Sequence, residues 1–318
     1  MIKGAFFTIT GMVLSIGLCI APSKPTQKQD TSNTATQVEN NPEVKLKPSV
    51  VLSGQANLTP AEQARFLLRK IYLTGKVGSE LPTLDPELEK RVGQKCLISR
   101  DQLRAYLDRN HITEWEVGGN IDLPVSALTD ANGNQTFAKY MVIHDTSFPR
   151  YEKSFPSNIN DDSWEWNRLN RWVANVTHLF INRVGDSKTM TPFQESVTAT
   201  KLERFILGEG ATKGLYLHIE MIQPRKYMKG YGRGNDVDSP TPGFTLPQYK
   251  RLAELYTVAS VRKGEYLIPA FHACVDSGIK YAHDDPQNFE LPKFFAALNE
   301  VWADMEKPAG GGKKIGSE

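Results

Sequence analysis

The chain has 318 residues, 40% hydrophobic and 23% charged, an ordinary globular usage that excludes a collagen-like, coiled-coil or wholly disordered chain. Lys+Arg 38 against Asp+Glu 36 leaves a formal charge of +2, too balanced for a surface whose main business is a polyanion, so no nucleic acid is expected as a partner. The three cysteines, Cys19, Cys96 and Cys274, are too few and too scattered for a disulfide scaffold or a cysteine zinc knuckle, so a metal would have to be held mainly by histidine and carboxylate.

In chain order, Lys3 is followed by an apolar run from Ala5 to Ala21, the charged start and apolar middle of a secretory signal. Residues 1–21 are therefore expected to be a signal peptide. The run also sits at the lower edge of bilayer-spanning length, so a retained membrane anchor is the alternative. Ile16-Gly17-Leu18-Cys19 resembles a lipid-attachment motif except that Leu18 stands where a small residue is wanted. Residues 22–57 are rich in Ser, Thr, Gln, Asn, Lys and Pro; such a segment buries too little to offset its ordering entropy and reads as a disordered linker. Export to the periplasm or cell envelope is the expectation.

Thr59-Pro60-Ala61-Glu62 is a helix start, with a Thr cap, Pro at the first helical position and Glu three residues on. Ser99 with Gln102 makes a second. Residues 58–112 thus form a small helical region with no catalytic spacing, expected to pack or to target rather than to react. From Thr136 onward, short apolar runs alternate with helical ones, which predicts an α/β domain with a mixed central β-sheet flanked by helices over 136–300. Lys139 to His144, His178 to Arg183 and Gly214 to Glu220 read as strands, Trp164 to Val173 and the segment after Thr245 as helices, and Gly230 to Gly243 as a long loop. Residues 301–318 read as a C-terminal tail.

His144, His272 and the Asp284-Asp285 pair fall at strand ends or in adjacent loops. Two imidazoles, one carboxylate and an open position would make a catalytic zinc site, and Glu220, ending its own strand, is the candidate base. A lone histidine after an apolar strand is also a common hydrogen-bonded structural residue, and no compact zinc motif such as HExxH is present.

The order of the segments carries a resemblance. Ile143-His144-Asp145-Thr146, His178 to Gly185, Leu217-His218-Ile219-Glu220, Thr245 with Gln248, Phe271-His272, and Asp284-Asp285-Pro286 with Phe289 resemble the type-2 family of zinc-dependent N-acetylmuramoyl-L-alanine amidases, which includes the peptidoglycan recognition proteins. The resemblance spans residues 136–300. It implies Zn2+ as cofactor, His144, His272 and Asp285 as metal ligands, and Glu220 as the residue that activates water. His283 occupies the place where the family usually carries an oxyanion-stabilising Lys, and the resemblance implies that catalytic role for it. Asp145 replaces the usual second His, Phe271 the Gly before the second ligand, and Gln287 the Gly after Pro286. His283 and Asp284 crowd the third ligand position, and either remains an alternative to Asp285.

The implied activity is hydrolysis of the amide between N-acetylmuramic acid and L-alanine in peptidoglycan or muropeptides. Arg225, Tyr227 and Tyr231, in a basic and aromatic stretch that also holds Lys226, Lys229 and Arg233, are the candidate substrate-binding residues. Two further readings share these features: a non-catalytic peptidoglycan-binding module, and a zinc peptidase acting on the stem peptide. No dimer seam is visible, so a monomer is expected.

Overall fold

The computed structural model describes residues 58–72, 76–173, 176–227 and 237–307. The expected signal and linker at 1–57, the first half of the glycine-rich loop and the last residues of the tail lie outside them. Three helices come first: α1 (Pro60–Leu67), α2 (Pro86–Arg91) and α3 (Arg100–Arg109). Thr59 and Ser99 each accept from the backbone of the residue three on, and Glu62 and Gln102 reach back to the cap backbone, which satisfies amides that a helix start leaves without partners. The strands that follow are β1 (Ala127–Thr129), β2 (Gln135–Phe137), β3 (Tyr140–Asp145), β4 (Arg150–Tyr151), β5 (Leu179–Ile181) and β6 (Ser187–Thr189). A π-helical turn at Leu202–Leu207 leads to α4 (Glu209–Thr212), then β7 (Tyr216–Met221), β8 (Arg225–Tyr227) and β9 (Val237–Asp238). The described chain closes with α5 (Leu246–Lys263), β10 (Ile268–Phe271), α6 (His272–Val275) and α7 (Leu291–Met305).

The fold is α/β: a mixed central sheet with helices flanking it. The strand order is β10-β3-β7-β5-β6, parallel throughout except that β6 runs back along β5. Every residue of β3 is buried, as are all but one of β7, as expected of parallel strands covered on both faces. Helix α5 packs on β5 and along α7, and α1 packs on β10. Leu67, Leu88, Leu103 and Tyr106 of the N-terminal helices are buried in one cluster with Met141, Leu217, Ile219 and Leu252. Residues 58–112 therefore share the core of the sheet rather than forming a core of their own.

Two expectations are corrected. Trp164 to Val173 does not form an α-helix but two 3-10 turns, Glu165–Asn167 and Leu169–Arg171. The reason is Asn167: its side-chain amide donates to the carbonyls of Ile159 and Asp161, its Oδ1 accepts from Arg183 N, and its own carbonyl accepts from Asn182. Those contacts spend the backbone in a way a continuous helix forbids. The C-terminal tail also begins later than 301. Helix α7 runs to Met305 and buries Val301, Trp302 and Met305.

Candidate metal centre

The parallel register of the central sheet assembles the site. His144 lies opposite Glu220 across β3 and β7, and His272 follows the end of β10, the strand on the other side of β3. Ligands gather outside the carboxyl ends of parallel strands in open α/β sheets, and these three side chains sit there. Asp285 closes the group from the loop before α7.

The donor atoms converge. His144 Nδ1 lies 2.9 Å from His272 Nδ1, His272 Nδ1 lies 3.1 Å from Asp285 Oδ2, and His144 Nδ1 lies 3.6 Å from the same oxygen. A tetrahedral zinc with bonds of about 2.0–2.1 Å spaces its ligand atoms by about 3.4 Å, so this triangle needs little adjustment to take a metal. All three residues are buried. Glu220 lines the same cleft, its Oε1 4.0 Å from His144 Nδ1. Its Oε2 is buried with no hydrogen-bond partner among the described residues, an acceptor left for something the protein itself does not supply.

The electrostatics of the metal-free site agree with a place for a cation. Burial pushes the Glu220 carboxyl up to about 8, and the neighbouring carboxylates of Asp285 and Asp145 add to it. Burial lowers the His144 imidazole, helped by His272. In the His272–Asp285 pair, burial opposes both charges but is outweighed by the pair's own attraction: the imidazole is held well above its usual range and the carboxylate well below. With Asp145 already paired to Arg225, the carboxyls of Asp285 and Glu220 beside two imidazoles are the groups whose proton affinity a bound dication would lower.

Of the residues crowding the third ligand position, Asp285 is the one whose carboxylate meets both imidazoles. Asp284 turns to Gln287, whose Nε2 donates to it at 2.6 Å. His283 stacks on His272 with ring centroids 4.5 Å apart, its Nδ1 3.6 Å from Asp285 Oδ1, and its side chain 44% exposed at the rim of the cleft.

Of the three residues expected to bind substrate, only the side chain of Arg225 is described, and it does not face the cleft. Arg225 was expected to meet a substrate carboxylate; instead it is fully buried and its Nη2 donates to Asp145 Oδ2 at 2.5 Å. The correction has a physical cause in Asp145, where the resemblance leads one to expect histidine. A buried carboxylate demands a partner, and Asp145 takes Arg225 together with the backbone amide of Gln287. Tyr231 lies outside the described residues, as does the side chain of Tyr227. The cleft, of about 520 Å³, is lined instead by Arg150, Trp172, Val173, Val176, Phe180 and Arg204 beside the metal-binding group.

Sequence reasoning also passed over the partners behind the ligands. His144 Nε2 lies 3.0 Å from His218 Nδ1, and His272 Nε2 lies 3.1 Å from Asp276 Oδ2. One signal was readable: His218 precedes Glu220 by two positions, and alternate strand residues share a face. Asp276 follows His272 by four positions and caps α6, a helical spacing that was also readable, whereas Glu203 comes from the π-helical turn at Leu202–Leu207 with no such signal. His178 is structural, its Nδ1 accepting from His218 N and its Nε2 3.0 Å from the Glu195 carbonyl.

The chain matches no protein-family model and no curated protein. Among solved structures it matches the crystal structure of a selenomethionine AmpD derivative, with 15% sequence identity and a TM-score of 0.31 over 57% of this chain and 97% of that one.

Proposed function

We propose that the protein is a zinc-dependent hydrolase that cleaves the amide between N-acetylmuramic acid and L-alanine in peptidoglycan or its fragments. The observation that carries the reading is the convergence of His144 Nδ1, His272 Nδ1 and Asp285 Oδ2 in one cleft, beside a buried Glu220 oxygen with no hydrogen-bond partner among the described residues. The donor set of two imidazoles and one carboxylate is that of catalytic zinc sites, which leave a fourth position open. Bound there, zinc would supply Lewis acidity, polarising the scissile carbonyl and lowering the pKa of water. The substrate class is supported by the ordered segments from Ile143 to Phe289.

The protein's own groups then have distinct tasks. Glu220 takes the proton from the attacking water as the oxygen adds to the carbonyl carbon, and returns it to the amine nitrogen as the carbon–nitrogen bond breaks. His283, at the rim, donates a hydrogen bond to the charge developing on the carbonyl oxygen. Trp172 and Phe180 offer apolar walls, and Arg150 and Arg204 offer charge to carboxylates of a stem peptide. A binding module has no chemical need for a base at Glu220, which favours the hydrolase. We further propose a periplasmic or envelope location, supported by the charged and apolar pattern of residues 3–21.

The test is mass spectrometry of soluble products from purified sacculi incubated with the full chain. Free stem peptides beginning in L-alanine are expected. Fragments cut within the stem would make the protein a peptidase, and binding without products would make it a binding module.

A further inference from the structure

Each ligating imidazole has a second nitrogen, and whatever holds that nitrogen decides which one is free for the metal. For His144 the holder is another histidine. His144 Nε2 meets His218 Nδ1 at 3.0 Å, so with His144 donating from Nε2, His218 accepts at Nδ1 and carries its own proton on Nε2. That Nε2 lies 3.3 Å from Glu203 Oε2, within ion-pair distance though without hydrogen-bond geometry. Both side chains are wholly buried. Glu203 is itself fixed: the same oxygen accepts from Thr200 N at 2.9 Å and from Thr200 Oγ1 at 2.8 Å.

The other arm returns to the same segment. His272 Nε2 meets Asp276 Oδ2 at 3.1 Å, and the Asp276 carboxylate accepts from Lys201 N at 3.2 Å and Leu202 N at 3.0 Å. One stretch of chain, Thr200 to Glu203, thus stands behind both imidazoles. A buried carboxylate with no metal-facing task, two steps from the nearest ligand, is otherwise a costly thing to enclose.

We propose that Glu203 and His218 are positioning residues, a carboxylate–imidazole relay that presents His144 to the metal through Nδ1, and that the 200–203 segment sets this arm and the Asp276–His272 arm together. The proposal rests on the metal-centre reading above. Neither residue touches substrate; both act through His144.

The test uses the full chain, zinc and a competing chromophoric chelator, with long-range proton–nitrogen NMR of the imidazoles in the metal-free protein. His218→Phe, which fills the space but accepts no hydrogen bond, is expected to weaken zinc binding about 10- to 100-fold. His218→Gln, whose side-chain oxygen accepts from His144 Nε2, is expected to recover part of that loss, which a purely space-filling role would not. Glu203→Gln gives an independent variant should His218→Phe fail to fold, and it too is expected to weaken binding. In the wild-type protein NMR is expected to find the His144 proton on Nε2. Zinc affinity within twofold of wild type in the folded variants, or a His144 protonated on Nδ1, overturns the relay while leaving the metal centre standing. Absence of zinc binding by the wild-type chain overturns the metal centre and the relay with it.

Discussion

Glu220 stands opposite His144 in the parallel register of β3 and β7, and its Oε1 lies 4.0 Å from His144 Nδ1. One pair of adjacent strands thereby presents both the proposed metal ligand and the proposed base, at a spacing set by the backbone ladder. Sites built on strands hold such geometry more tightly than sites built on loops.

Replacing Glu220 by Gln keeps the shape and removes the proton acceptor. Product release from sacculi is expected to fall by about 10²- to 10⁴-fold, the usual contribution of a positioned base. Metal content measured on the same preparation is expected to stay at the wild-type level, since Glu220 is outside the ligand triangle.

His283 is the residue proposed to stabilise the oxyanion. His283→Ala is expected to lower kcat by about 10²-fold, at the low end for loss of an oxyanion donor, with little change in KM. His283→Lys supplies a donor from the same position and is expected to retain more activity than the alanine variant. Steady-state kinetics on a soluble muropeptide separates the two effects. Equal activity of wild type and His283→Ala would remove His283 from the reaction.

The Asp145–Arg225 pair is a stability element next to the site. Arg225→Met strands a fully buried carboxylate and is expected to cost about 3–5 kcal/mol, whereas the double variant Asp145→Asn with Arg225→Met is expected to cost less than the single one. Denaturant unfolding of the metal-free protein measures both.

Of the central sheet, β6 and β10 are not among the strands the sequence predicts. The other three, β3, β5 and β7, are legible in the sequence because they are short, continuous and apolar: Tyr140 to Asp145 and Tyr216 to Met221 lie buried in parallel neighbours, and such strands read as hydrophobic runs. The ligands at their ends are legible for the same reason, as polar residues that interrupt the run. What depends on long-range contacts was not. Nothing near Arg225 announces that Asp145, 80 residues away, will claim it, and nothing near Trp164 announces that Asn182 and Arg183 will tie Asn167 into a turn. Helix α7 is a different case. Phe294, Ala297, Leu298, Val301, Trp302 and Met305 are buried at helical spacing, a pattern present in the chain but masked by the glycine- and lysine-rich residues that follow it.

Acid sensitivity follows from His178. Burial, with His218 beside it, pushes this imidazole from 6.5 down to about 3, because its ring nitrogens serve the fold rather than water. The folded-state value is depressed, so between about 3 and 6.5 the unfolded chain binds the proton and the native one does not. Stability therefore falls as pH drops through that window, by up to about 1.4 kcal/mol per pH unit from this one group. His178→Gln is expected to flatten the slope between pH 6.5 and 4 in denaturant unfolding of the metal-free protein, whatever it does to the absolute stability. An unchanged slope would show that His178 is not the proton-linked group.

The most direct test of the account as a whole is the rate of muropeptide amide cleavage by chelator-treated protein as zinc is added back in known equivalents. The triangle of His144, His272 and Asp285 predicts no cleavage without zinc, a linear rise, and a break at one equivalent per chain. Cleavage that survives chelation, or that stays absent when one zinc per chain is bound, would contradict it.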